Sequence, residues 1–135
     1  TKEVTVEKGE ESQLIVNVAA SEEDSGILIG YHGENLNAFQ YILGQIVNHG
    51  QEEWTKIFVN VNNYRLQREV ELRQMAKNAA DRAIATGDEI EMPYLTPAER
   101  RIIHLELTDR TDVDSFSEGE DRARRLIISP KKKEK

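Results

Sequence analysis

With 135 residues, of which 38% are hydrophobic, the chain is long enough for one ordinary domain or two small ones with modest cores. It has no cysteine, which excludes disulfides, zinc–thiolate sites and cysteine nucleophiles and fits a reducing compartment. No apolar run approaches the ~20 residues of a transmembrane helix and no signal-peptide pattern begins the sequence, so a soluble, cytoplasmic protein is expected.

The formal charge of −7 is unevenly distributed along the chain. Residues 1–62 contain three lysines against ten acidic residues, which accounts for the whole excess, whereas residues 63–135 contain 15 basic and 15 acidic residues. Any affinity for nucleic acid is therefore expected to depend mainly on the second half.

Two strands and a short helix are predicted at the start of the chain. Alternating apolar residues predict a strand with one buried face over 12–20, and residues 3–11 predict its partner. Ser21, three residues before Asp24, resembles a capping box, so a helix is expected over 22–29.

A second helix is predicted after Gly33, followed by a strand over 55–61. This helix ends near Asn48, and its apolar positions recur at helical spacing: Leu36, Phe39, Leu43, Ile46 and Val47. The first half therefore reads strand, strand, helix, loop, helix, strand.

The second half predicts two helices and a small set of strands. A long helix is expected over 63–86, a short strand over 89–92, and a helix capped by Thr96, Pro97 and Glu99. Two further strands are expected around a polar turn at residues 118–122, and residues 131–135 form a charged tail expected to be disordered.

The loop between the first two helices is bounded by Gly30 and Gly33 in GILIGYHGENLNAF. Glycines permit backbone conformations closed to other residues, and the N-terminus of the following helix could attract a phosphate. Taken alone, the pattern is more typical of an ordinary turn between two helices.

The order of elements around this loop resembles the KH domain in its prokaryotic, type II arrangement, over about residues 3–62. In that family the loop clamps about four nucleotides of single-stranded RNA or DNA. The resemblance implies a clamp made of Gly30, Tyr31, His32 and Gly33. It also implies that three apolar residues lie beside the nucleotide-binding groove, namely Ile27, Ile29 and Leu36. Packing in the hydrophobic core is the simpler explanation for these three residues.

The middle of the loop departs from the KH pattern, which usually places lysine or arginine there. Tyr31 could stack on a base or lie exposed as a turn residue, and His32 attracts phosphate only when protonated, below about pH 6.5. Glu34 adds a repelling charge directly after the loop. The sequence therefore predicts a loop with the backbone geometry of a KH loop but with weak electrostatic attraction to phosphate.

Arg100 and His104 lie four residues apart in TPAERRIIHLEL, which places both on one face of the capped helix. A guanidinium beside an imidazole suits a phosphate next to a base. The same spacing is also typical of a solvated arginine and a core histidine.

This pair, with MPYLTPAER before it and SEGEDRARRLIISP after it, resembles the R-3-H domain, a module that binds single-stranded nucleic acid, over about residues 64–130. Several further basic residues could widen its binding surface: Arg101, Arg124, Arg125 and Lys131 to Lys133.

KH followed by R-3-H resembles the bacterial Jag family, also called KhpB, of RNA-binding proteins. The resemblance implies an α+β fold of two small domains joined by a long helix, with the KH domain over 1–62 and the R-3-H domain over 63–130. It also implies a further N-terminal domain that the present sequence does not contain, and association in some members with another small KH protein and with membrane-insertase or division machinery.

The leading hypothesis is a non-enzymatic binder of single-stranded RNA, less favourably DNA, that needs no cofactor or metal and does not itself insert into membranes. The alternative is a protein-interaction or dimerisation module with a degenerate KH loop, favoured by the acidic first half. An enzyme is disfavoured because His32, His49 and His104 lack metal-ligand spacing, and Asp112 and Asp114 fit a solvated strand face.

Overall fold

The computed structural model describes residues 3–131 and divides the chain into two units, residues 1–67 and 68–135. Lys132 and Lys133 of the basic tail lie outside the described residues. The helices and two three-stranded sheets confirm the predicted α+β class.

The first unit has the predicted order of two strands, two helices and a strand. Its elements are β1 (Glu3–Lys8), β2 (Gln13–Ala19), α1 (Glu22–Ile29), α2 (Glu34–Asn48) and β3 (Lys56–Val61). Strand β2 pairs antiparallel with β1 and parallel with β3. The parallel pairing follows from the crossover through both helices, because parallel neighbours cannot be joined by a tight turn.

The core of the first unit lies between the sheet and the two helices. Leu36 of α2 is buried with Ile57, Val59 and Val61 of β3, and half-buried residues of β2 and α1 pack against them. The apolar pattern of α2 is wider than the core, since Phe39, Ile46 and Val47 are all exposed. Helical spacing therefore predicted the helix but not which of its apolar residues are covered.

Helix α3 (Tyr64–Thr86) begins in the first unit, and its residues from Arg68 onward belong to the second. The other elements of the second unit are β4 (Ile90–Glu91), α4 (Pro97–Leu107), β5 (Val113–Glu118) and β6 (Arg125–Pro130). Strand β6 is central, with β4 and β5 antiparallel on its two sides.

Alanines on α3 build much of the second core. Ala76, Ala80 and Ala83 are fully buried against Ile103 of α4 and Ile128 of β6. Because alanine adds only a methyl group, the α3 backbone can approach its neighbours closely. Leu66 and Val70, two apolar residues near the start of the same helix, are exposed.

The capping box of α4 is confirmed and is linked to a buried ion pair. Thr96 Oγ1 accepts from the Glu99 backbone N–H at 3.2 Å, and Glu99 Oε1 accepts from the Thr96 backbone N–H at 3.1 Å. Glu99 Oε2 accepts from Arg68 Nε at 2.6 Å while Glu99 is only 5% exposed. This contact fixes the start of α4, which carries the predicted Arg–His pair, against α3.

Among the helices of residues 3–131, none has the combination of length and apolar composition needed to cross a membrane.

Candidate nucleic-acid interface

The loop between α1 and α2 requires glycine at both of its ends. Gly30 has φ +70° and Gly33 has φ +79°, in the left-handed half of backbone space. Asn35 Nδ2 donates to the Ile27 carbonyl at 2.9 Å, and a Cβ on Gly30 would lie 2.5 Å from Asn35 Cγ. The side chain of Asn35 therefore closes the loop over a position that only glycine can occupy.

The two middle residues of the loop form an aromatic pair. The rings of Tyr31 and His32 meet edge to face with centroids 4.2 Å apart. Tyr31 is 63% exposed, whereas His32 is half-buried and has φ +55°. The loop therefore presents a tyrosine ring to solvent where the KH pattern usually has a cation.

The three apolar residues predicted as groove neighbours have different positions. Leu36 is buried and Ile29 packs against the same core, so core packing explains both. Ile27 is 69% exposed, and of the three it is the one available to a ligand.

An open cavity of about 550 Å³ lies between α2 and β3 of the first unit. Its aromatic walls are Tyr41, Trp54 and Phe58, and its polar lining includes Asn37 and Gln40. Sequence reasoning missed these residues, although the excess of exposed aromatics on α2 and on the segment leading into β3 is a signal for a binding face.

Asn48 holds the rim of this cavity. The buried amide donates from Nδ2 to the carbonyls of Gly44 and Thr55, both at 2.8 Å, and Oδ1 accepts from the Thr55 N–H at 2.6 Å. These bonds tie the end of α2 to the entry of β3, and Trp54 lies in the segment that they hold.

In the second unit, α4 and β5 enclose a groove of about 370 Å³ that we call the arginine groove. Its lining residues are Pro97, Arg100, Arg101, His104, Ser115, Phe116, Ser117, Arg124 and Leu126. The structure thus brings together four of the five predicted site residues of this half.

Backbone carbonyls hold two of the groove's arginines. Arg100 Nη1 donates to the Leu95 carbonyl and Arg124 Nη1 to the Gly119 carbonyl, both at 2.8 Å. Within residues 3–131 no carboxylate pairs with Arg100, Arg101 or Arg124. Among the described residues, the positive charge of the groove is therefore not neutralised by an ion pair.

His104 is exposed, and its Nδ1 lies 2.6 Å from Ser115 Oγ on β5. It is therefore not a core histidine. Ser115 was missed from the sequence. It lies two positions after buried Val113, so strand geometry would have placed both side chains on the face toward α4.

Arg125 does not line the arginine groove. It stacks over the Tyr94 ring at 5.6 Å and lines another cavity with Glu89, Glu91 and Glu118. The reason is strand alternation, since Leu126 faces the arginine groove and its neighbour in β6 must face away.

Lys131 is also engaged elsewhere. Its backbone N–H donates to the Asp112 carbonyl at 2.8 Å and its Nζ lies 3.5 Å from Asp114 Oδ1. Both aspartates are ion-paired, since Asp112 Oδ2 accepts from Arg110 at 2.8 Å. Within residues 3–131 no group of three or more side chains could hold a metal ion.

Comparison with known proteins finds one domain model in each half of the chain. Residues 1–59 match the model of the KhpA/KhpB KH domain, and residues 70–130 match that of the R-3-H domain. The RNA-binding protein KhpB of Clostridium symbiosum is 34% identical over 122 residues, which cover 90% of this chain and 55% of that protein. The chain belongs to the KhpB family.

A second member of the family, the RNA-binding protein KhpB of Bacillus subtilis, is 32% identical over 132 residues, covering 96% of this chain and 62% of that protein. The KhpB of Streptococcus pneumoniae D39 is 27% identical over 113 residues, or 34% of its length. The chain thus spans about half the length of the curated relatives it matches. The two domain matches support nucleic-acid binding.

Proposed function

We propose that the chain binds single-stranded RNA in preference to DNA, using the arginine groove of the R-3-H domain and the loop and cavity of the KH domain. The proposal involves no chemical step. It implies a cytoplasmic role in post-transcriptional regulation, where single-stranded RNA is the ligand. The observation that carries it is the arginine groove, whose charge no ion pair among the described residues neutralises.

Phosphate is the ligand that best fits this groove. Several arginines of the second unit have no carboxylate partner among residues 3–131, and three of them, Arg100, Arg101 and Arg124, line one groove. Guanidinium groups form forked, charge-assisted hydrogen bonds to phosphate oxygens. A strand that follows the groove would neutralise charges that the fold leaves exposed.

His104 supports the choice of RNA over DNA. With Nδ1 engaged by Ser115, its Nε2 has no hydrogen-bond partner among residues 3–131 and can contact a ligand. An imidazole nitrogen can donate to or accept from a 2′-hydroxyl, which is the group that distinguishes RNA from DNA.

The KH domain contributes shape rather than charge. Its loop brings the backbone close, Tyr31 offers a stacking surface, and the cavity beside α2 offers three aromatic walls for bases. Base–aromatic stacking does not need a cation, so the missing lysine or arginine does not remove the site. Two weak sites on one chain strengthen each other when one strand engages both.

The test is binding of a labelled single-stranded RNA of about 12 nucleotides by fluorescence anisotropy, with DNA of the same sequence in parallel. Arg100→Ala with Arg101→Ala should weaken RNA binding by roughly tenfold or more, as expected for two phosphate contacts. The matched control is Arg82→Ala with Lys77→Ala, two exposed α3 residues outside the groove. Equal effects of the two pairs would refute the proposal.

A second candidate function is protein interaction through the KH domain. Ile42 and Ile46 of α2 and Val4 and Val6 of β1 are each more than half exposed, and β1 is an edge strand of the sheet formed by the described residues. These surfaces would suit a second copy of the chain or another KH protein. Sedimentation analysis of wild type and Ile46→Glu tests it. The substitution lowers the mass of the assembly only if Ile46 lies in an interface.

A further inference from the structure

The guanidinium of Arg65 is held by neutral oxygens of the KH domain. Nη1 donates to Asn37 Oδ1 at 2.8 Å, Nη2 to Gln40 Oε1 at 3.1 Å, and Nε to the Val59 carbonyl at 3.4 Å. Gln40 Oε1 also accepts from the Val59 N–H at 3.0 Å. Both amide side chains are thereby fixed at the start of α2.

These contacts determine which way each amide faces. A guanidinium carries only donors, so the oxygens of Asn37 and Gln40 must face it and their NH₂ groups must face away. Both residues line the cavity between α2 and β3. No acceptor among residues 3–131 takes a hydrogen bond from Asn37 Nδ2 or Gln40 Nε2.

The cavity is therefore lined by two amides whose donors face away from Arg65, which is not one of the lining residues. Asn37 and Gln40 are three residues apart and lie on one face of the helix. Lys56, another lining residue, adds only donors. A base that enters the cavity is best matched by an edge with neighbouring acceptors.

We propose that Asn37 and Gln40 read the base in this cavity and select one with two adjacent acceptors, O2 and N3 of cytosine or O6 and N7 of guanine, with Arg65 as the positioning residue. Adenine presents its N6 donor beside N1, and uracil places an N3–H donor between its two carbonyls. Either base would leave a donor facing a donor, which costs affinity. The inference rests on the proposed function and names the base preference of its KH half.

Gln40→Glu removes the NH₂ group proposed to contact the base and keeps the oxygen that contacts Arg65 and Val59. A carboxylate can still accept from Val59 N–H and from Arg65, so the fold contacts are kept while the NH₂ donor is removed. Gln51→Glu is the matched control, because it makes the same charge change at an exposed position outside the cavity. The affinities of the full chain for oligocytidine and oligoadenosine are measured by anisotropy.

Wild type and Gln51→Glu should prefer oligocytidine by about tenfold, the discrimination that a good two-bond base contact provides. Gln40→Glu should lower that ratio to near one. An equal weakening of both oligomers by Gln40→Glu would show charge repulsion alone and overturn the inference. Failure of wild type to bind either oligomer would refute the proposed function itself.

The role of Arg65 has its own readout. Arg65→Lys keeps the charge but replaces the planar fork with a compact ammonium that cannot hold both amides. It should lower the preference for oligocytidine and change the NMR shifts of the Asn37 and Gln40 side-chain amides. A preference equal to that of wild type would overturn the positioning role.

Discussion

His104 Nδ1 and Ser115 Oγ lie 2.6 Å apart and join α4 to β5 across the arginine groove. An exposed histidine on a helix would otherwise sample several rotamers. The serine restricts the ring, so that its second nitrogen has a fixed direction when a strand arrives.

Ser115→Ala should weaken RNA binding several-fold, corresponding to the roughly 1 kcal/mol that one hydrogen bond contributes. The free energy of unfolding should change little, because His104 is exposed. Anisotropy titration and urea denaturation measure the two quantities. Ser129→Ala, on the same sheet but outside the groove, is the control, and equal RNA affinity in Ser115→Ala and wild type would refute the role.

Gly30→Ala should distort the KH loop and destabilise the first unit by about 1–3 kcal/mol, since a Cβ there meets Asn35 at positive φ. Gly26 of α1 offers a matched control, because a Cβ at that position meets nothing within 4 Å. Gly26→Ala should stabilise by about 0.5–1 kcal/mol through its better helix propensity. Thermal unfolding compares them, and equal effects would argue against a strained loop.

Glu99→Gln should destabilise the second unit by about 1–3 kcal/mol, because a neutral amide replaces the buried carboxylate that accepts from Arg68 and caps α4. Glu71 contacts the same guanidinium at 3.1 Å but is 62% exposed. Glu71→Gln should therefore change the free energy of unfolding by less than about 0.5 kcal/mol. Urea denaturation measures the free energy of unfolding of both variants. Similar losses in the two variants would contradict the prediction.

The hydrogen bonds from Arg110 lower the pKa of Asp112 from its usual value of 3.8. A depressed folded-state pKa gives stability that is present above the unfolded pKa and lost as pH falls through the folded one. Stability should therefore decrease below about pH 4, and Asp112→Asn should flatten that decrease. Carbon NMR titration of Asp112 checks the direction, and a midpoint at or above 3.8 would be inconsistent with it.

The order of elements could be predicted because local signals were strong. Ser21 and Thr96 cap helices as expected, and the alternation of β2 gave a half-buried strand. Helix caps and strand alternation depend on residues that are close in sequence, so both can be recognised from the sequence alone.

The sites were harder to predict because they depend on which face an element turns inward. Arg125 follows Arg124 by one residue of extended backbone, and its side chain therefore lines another cavity. Tyr41 and Ile46 belong to the apolar surface of α2 yet lie outside the core. The partners Ser115 and Arg65 are distant in sequence from the residues they hold, and no spacing rule connects them.

The most direct test of two-site RNA binding centred on the arginine groove is the salt dependence of affinity for single-stranded RNA. The slope of log affinity against log salt falls by about 0.7 for each phosphate of a single strand that the protein no longer neutralises. We predict that Arg100→Ala with Arg101→Ala reduces the slope by roughly 1 to 1.5, while Arg82→Ala with Lys77→Ala leaves it near the wild-type value. A slope unchanged by the first pair, or reduced equally by both pairs, would contradict the assignment of phosphate binding to this groove.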